Sequence, residues 1–249
     1  MPLVSEFEYK LNIPKFDLTS PTSWGSRDAI AGQVKKIMQK FGAYIKWSAD
    51  NSRVPMEVIA GFIAVESGGN PSAGSSGHVT QGLMQWNRDY IYASLEAESK
   101  LGRMTPAEKD KLKSFGLTFS TAHKINRMVT NADQLKPELN ILIGTILLGQ
   151  YIDSMHDGGK KTISNGAQVM WAKDDDGELR MDRIIAVYNG GAYGEGGTKA
   201  RSKKYATAKA LADAVNSVTS SYIKKVMGKN GALDVATSDA KPEFAKYRG

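Results

Sequence analysis

Apolar side chains at Ile30, Val34, Ile37, Phe41 and Ile45 repeat at the three-and-four spacing of one helix face and predict a first helix. A second stripe, Val58, Ile59, Phe62 and Ile63, follows Pro55, which a first helical turn tolerates, and stops at Gly68 and Gly69. Residues Pro137 to Met155 predict a buried helix in which Leu139, Leu142, Ile143, Ile146, Leu147, Tyr151 and Ile152 pack around Gly144. A short helix ending in Val187, Tyr188 and Asn189 comes next, then a glycine-rich loop over 190–197, then a last helix carrying Tyr205, Ala208, Leu211, Ala212 and Val215. The connecting stretches are polar. Residues 68–82 read as a loop of Gly, Ser and Pro. The charged stretch from Arg88 to Lys136 reads as mostly helical, with a capping box at Thr105 and Glu108. No segment alternates as a strand would over a useful length, and no repeat is visible. The pattern therefore predicts a mainly α fold with little or no β.

At 249 residues and 41% hydrophobic composition, the chain can bury one sizeable core. The organisation expected is an N-terminal arm over 1–23, one domain over 24–228 with polar insertions near 88–136 and 157–177, and a tail over 229–249. Cysteine is absent, and no run approaches the 18 apolar residues of a membrane span. Residues Met1 to Ser20 include Glu6, Glu8, Lys10, Lys15 and Asp17, which is not the order of a secretion signal, so delivery by another agent is expected. A net charge of +7 favours an acidic polymer, cell wall or nucleic acid, without choosing between them.

Glu66 falls on the second stripe, four residues after Phe62, three after Ile63 and seven after Ile59, near the end of that helix. A carboxylic acid on an apolar face pays a desolvation cost for ionising, which favours the protonated form, and such a group can protonate a glycosidic oxygen. From this burial pattern alone, Glu66 reads as a helix-closing residue or a partner for a lysine rather than as a catalytic acid. Its neighbours change that balance.

Glu66-Ser-Gly-Gly-Asn-Pro71, then Ser75 and Gly77, and then Gly82-Leu-Met-Gln85 resemble the Glu-Ser and Gly-Leu-Met-Gln signature of soluble lytic transglycosylases, a branch of the lysozyme superfamily. Asn140-Ile141 with Gly144, the segment Ala186-Val-Tyr-Asn189-Gly-Gly, and Tyr222 to Val226 continue the resemblance in family order, from Val54 to Gly228. The departures are local. His78 to Gln81 lengthen the link to Gly82, Trp86-Asn87 replace an aliphatic residue and its successors, Gly190-Gly191-Ala192 replace Ala-Gly-Pro, and the stretch 88–136 exceeds the usual spacing.

The resemblance implies a lysozyme-like, goose-type helical domain that acts on peptidoglycan glycan strands without a cofactor. It implies that Glu66 protonates the bond between N-acetylmuramic acid and N-acetylglucosamine and then takes the proton from the muramyl 6-hydroxyl, leaving a 1,6-anhydro end. One carboxylate then suffices where most glycosidases use two. Ser75 and Tyr188 match positions that hold the sugar or orient the acid, Gln85 and Asn189 match hydrogen-bonding positions of the cleft, and Tyr222 matches a tyrosine lining it. Leu83, Met84, Asn70, Pro71 and Gly144 read as scaffold.

Other signals carry less. His78, His123 and His156 stand singly, so no metal site is expected. Gly158 to Thr162 lacks the first glycine of a phosphate loop, Ser154 standing in its place, and Asp174 to Gly177 lacks calcium-ligand spacing. Lys203, Lys204, Lys209, Lys224 and Lys225 read as a solvated face, and no nucleic-acid partner is expected. Two rival readings remain: a goose-type hydrolase in which Asp89 positions a water, and a wall-binding or structural protein without turnover. A wall-cleaving domain without an export signal fits a bacteriophage particle, with other virion proteins as partners, a phage enzyme released from the host cytoplasm through a holin, or a secretion-system accessory.

Overall fold

The computed structural model describes Leu18 and residues 24–52, 54–74, 78–156, 162–163, 167–168, 180–191, 194–200, 202 and 204–248. Among them the chain is mainly helical, as the pattern predicts. The N-terminal arm apart from Leu18, Ser75, and most of the 157–177 insertion lie outside the described residues. The chain divides into two compact units. The first takes in Lys36–Gln150 and the C-terminal Glu243–Gly249; the second takes in the stretch up to Lys35 and Tyr151–Pro242.

Helix α1, Arg27–Asp50, buries the whole predicted stripe from Ile30 to Ile45. In the first unit, α2, Met56–Ser67, is buried on every side from Met56 to Ala64, because apolar residues surround it rather than forming one face. It ends where Gly68 adopts a left-handed φ of 64° and returns its N–H to the Ala64 carbonyl. Gly69 repeats the positive φ at 80°, and a Cβ there would lie 2.7 Å from Ile37 Cγ1, so the turn lies directly on α1.

The charged stretch is helical over slightly more than half of its length. It comprises α3, Arg88–Lys100, α4, Pro106–Ser114, and the single-turn α5, Asn131–Gln134, with irregular chain over 115–130. The capping box forms at Thr105 and Glu108, and a second forms at Thr130 and Asp133. Helix α6, Pro137–His156, is the expected buried helix with one rotation. Leu148 is fully buried and Leu147 only half-buried, because nearly all sides of the helix are covered and periodicity cannot choose between them.

In the second unit a two-residue antiparallel pair, β1 (Thr162–Ile163) with β2 (Ala167–Gln168), precedes α7, Met181–Gly190. The expected glycine-rich loop instead leads into α8, Glu195–Ala200, where a Cβ on Gly196 would meet the Ala186 carbonyl at 2.5 Å. Close packing on α7 thus overrides the loop preference of the sequence. Helices α9, Ala208–Ala214, and α10, Ser217–Met227, follow, with α10 packed on α7 and α9.

The expected tail is also structured: α11, Ala232–Thr237, belongs to the second unit and α12, Lys241–Ala245, straddles the boundary. Leu233 and Phe244 are fully buried, and Arg27 hydrogen-bonds Asp234, Asp239, Asn230 and Ser238.

Candidate active site

Helix α2 carries two carboxylates in different settings. Glu57, in its first turn, is buried and paired with Arg248. Glu66 is half-buried at the other end, where the helix leaves the core through Val65, Glu66 and Ser67. It emerges because the helix runs out of covering neighbours, not because one face of the helix is apolar. Ser67 tightens this end: its hydroxyl donates to the Ile63 carbonyl at 3.0 Å and accepts the Gly69 N–H at 3.2 Å.

The chain then turns through Asn70, whose Oδ1 accepts the Ser72 N–H at 3.0 Å, an Asx turn. The Ala73 carbonyl takes two hydrogen bonds across the loop, from the Gly82 N–H at 2.9 Å and from Gln85 Nε2 at 3.0 Å. Gln85 Nε2 also donates to the Gly82 carbonyl at 2.7 Å. Both amide hydrogens of Gln85 are therefore committed to the loop, and its side-chain oxygen is the atom through which it can meet a ligand. Gln85 holds a φ of 47°, an uncommon conformation for a residue with a side chain and of the kind that collects at functional sites.

Two buried side chains that sequence reasoning assigned no role hold this loop. Asn140 on α6 accepts the Met84 N–H and donates to the carbonyls of Gln81 and Gln134, while its backbone carbonyl receives Trp86 Nε1. Gln134 Nε2 donates to the carbonyls of Val79 and Trp86. Gly82 fits against them only as glycine: its φ is 84°, and a Cβ would stand 2.3 Å from both Asn140 Nδ2 and the Gln134 carbonyl. The available signal was Asn140, a polar residue in the first turn of an apolar helix, which a buried partner must satisfy. The two departures at Trp86 and Asn87 also have work here. Trp86 is buried against α6, and Asn87 caps α3 by accepting the Asp89 N–H at 2.9 Å.

Tyr188, Asn189 and Tyr222 belong to the second unit. The Tyr188 ring, half-buried near the end of α7, meets Tyr151 edge-on with centroids 6.5 Å apart. Burial pushes the Tyr151 hydroxyl well above the ordinary tyrosine range, so it stays protonated. Asn189 is exposed, and its Oδ1 accepts the Thr219 hydroxyl at 3.1 Å. Tyr222 lies one turn beyond Thr219 on α10 and is buried. The structure thus places Glu66 and Gln85 in the first unit, and gathers Tyr188, Asn189 and Tyr222 around the α7–α10 contact of the second; Ser75 lies outside the described residues.

No cluster of His, Cys, Asp or Glu that would hold a metal occurs among the described residues, and no helix among them is long and apolar enough to cross a membrane. No family model matches the chain, and no curated protein matches it in sequence.

Proposed function

We propose that this chain is a lysozyme-like lytic transglycosylase that cleaves peptidoglycan between N-acetylmuramic acid and N-acetylglucosamine, with Glu66 as its single acid and base. The observation that carries the reading is the setting of Glu66: a half-buried carboxylate at the emerging end of an otherwise buried helix, followed by a loop whose Gln85 is held in an uncommon backbone conformation.

In the proposed reaction the Glu66 carboxyl donates its proton to the bridging oxygen as the bond from the muramyl anomeric carbon to that oxygen breaks. The 2-acetamido oxygen stabilises the positive charge developing at that carbon. The muramyl 6-hydroxyl then bonds to the carbon and loses its proton to the Glu66 carboxylate, which regenerates the acid. No water is consumed. Asp89, which a hydrolytic reading would use to hold a water, is exposed and paired with Arg88 at 3.2 Å.

Purified peptidoglycan digested by wild type and by Glu66→Gln, with mass spectrometry of the released sugars, tests the reading. Wild type is expected to release anhydromuropeptides and the variant to be slower by roughly a hundred- to ten-thousand-fold, the usual contribution of a general acid–base group. Products heavier by one water would mean hydrolysis, and no Glu66-dependent release from several wall types would leave a wall-binding protein. We place the enzyme in a bacteriophage particle; labelled antibody that finds none of this chain in purified virions would move it to holin-dependent release.

A further inference from the structure

Thr219 is buried, with 2% of its surface exposed, yet its hydroxyl reaches the exposed side chain of Asn189. Its position is fixed from several directions. As a β-branched residue in a helix it has few side-chain rotamers. Its backbone N–H is held at 2.9 Å by Oδ1 of Asn216, the N-cap of α10. Asn216 Nδ2 donates in turn to Glu195 at 3.0 Å, and Lys199 binds the same carboxylate one turn along α8. Thr219 Oγ1 also lies close to the α7 terminus: a Cβ on Gly190 would be 3.5 Å from it.

A primary amide has an accepting end and a donating end, and its terminal torsion is broad and roughly two-fold, so an exposed asparagine can present either. A fixed hydroxyl ties one end of the amide to the protein, and here that end is the oxygen, Oδ1, which accepts from Thr219. With Oδ1 taken by Thr219, the end of this exposed amide left to meet a ligand is Nδ2, a donor. We propose that Thr219 is a positioning residue that fixes Asn189 as a hydrogen-bond donor to an acceptor oxygen of the bound glycan, such as the carbonyl of an N-acetyl group. The assignment of glycan as ligand rests on the function proposed above.

Thr219→Val keeps the shape and removes the hydroxyl. On solubilised glycan strands it is expected to raise KM roughly three- to ten-fold, the range of one hydrogen bond, with kcat little changed, and Thr219→Ser should restore KM. Asn189→Asp keeps the acceptor that Thr219 binds but has no outward donor, so its KM should rise as far as that of Asn189→Ala. Retained binding by Asn189→Asp would overturn the proposal, as would a Thr219→Val variant that melts earlier but keeps its KM.

The orientation also has a readout without substrate. The side-chain amide resonance of Asn189, identified by its loss in Asn189→Asp, should shift in Thr219→Val and return in Thr219→Ser. An unshifted resonance sinks the orientation whether or not the wall is cleaved. A wild type inactive on every wall tested, with the resonance shifting as expected, sinks the glycan reading alone.

Discussion

Asn140 receives the backbone N–H of Met84 on its side-chain oxygen at 2.8 Å, across 56 residues of chain, and so fastens the loop of Gln85 to α6. Its Nδ2 completes the fastening through the carbonyls of Gln81, at 3.1 Å, and Gln134, at 2.8 Å. Asn140→Ala leaves three buried backbone groups without this partner and is expected to cost about 2–4 kcal/mol, since each such loss costs about 1–3 and relaxation recovers part. Urea unfolding measures the loss, and limited proteolysis should show new cleavage between Ala73 and Met84. A variant as stable and as resistant as wild type would mean that the loop holds itself.

Gly144 faces the same loop from α6. A Cβ there would meet Met84 Sδ at 2.4 Å and Met84 Cβ at 2.9 Å. Alanine normally improves a helix interior by about 1 kcal/mol over glycine. Here overpacking is the larger effect, and Gly144→Ala is expected to destabilise by a net of about 1–3 kcal/mol. The cause is checked by a cycle with Met84→Ala: the two substitutions should be less costly together than the sum of each alone, whereas strict additivity would place the clash elsewhere.

How much of this was legible in the sequence depends on how local each cause is. The α1 stripe, the Gly68–Gly69 stop and the Thr105 capping box are local, and all three stand where the pattern puts them. Helices α11 and α12, six and five residues long, are too short to show a period, and α11 is held by Arg27, some 200 residues away in the chain. Gly196 reads as loop because its helical placement follows from contact with Ala186, which no local propensity reports. The site divides in the same way. Glu66, Gln85 and Asn140 sit in motifs that can be recognised in the sequence, but what Asn140, Gln134 and Thr219 hold or orient is not legible there, because they act through partners 30 to 59 residues distant.

Asp133 organises the irregular end of the 88–136 stretch. Burial opposes its ionisation, but hydrogen bonds from Arg127, Thr130 and Lys136 override that and hold its carboxyl well below the usual range. A depressed folded-state pKa contributes stability that is present above the unfolded value, about 3.9, and is lost as pH falls through that value towards the folded one. Asp133→Asn should therefore cost about 2–3 kcal/mol at neutral pH, the range for hydrogen bonds to a buried charged group. The gap to wild type should narrow at pH 3. Urea midpoints of both proteins at the two pH values check this, and a gap independent of pH would count against the ionised carboxylate as its source.

The residues after Gly228 bear on how the protein can be shortened. Leu233, Val235, Ala236 and Phe244 are fully buried, and Arg248 covers the buried Glu57 of α2. Burying a large apolar side chain is worth about 1.5–3 kcal/mol, so removing several at once consumes most of the roughly 5–15 kcal/mol by which a typical protein is stable. Truncation after Gly228 is accordingly expected to abolish cooperative unfolding and solubility. The milder Arg27→Ala, which breaks only part-exposed ion pairs, should cost about 1 kcal/mol or less and leave the chain folded. Thermal melts followed by circular dichroism compare the three proteins. A truncated chain that melts cooperatively near the wild-type temperature would show that these residues are an appendage; the burial of Leu233 and Phe244 predicts that they complete the core.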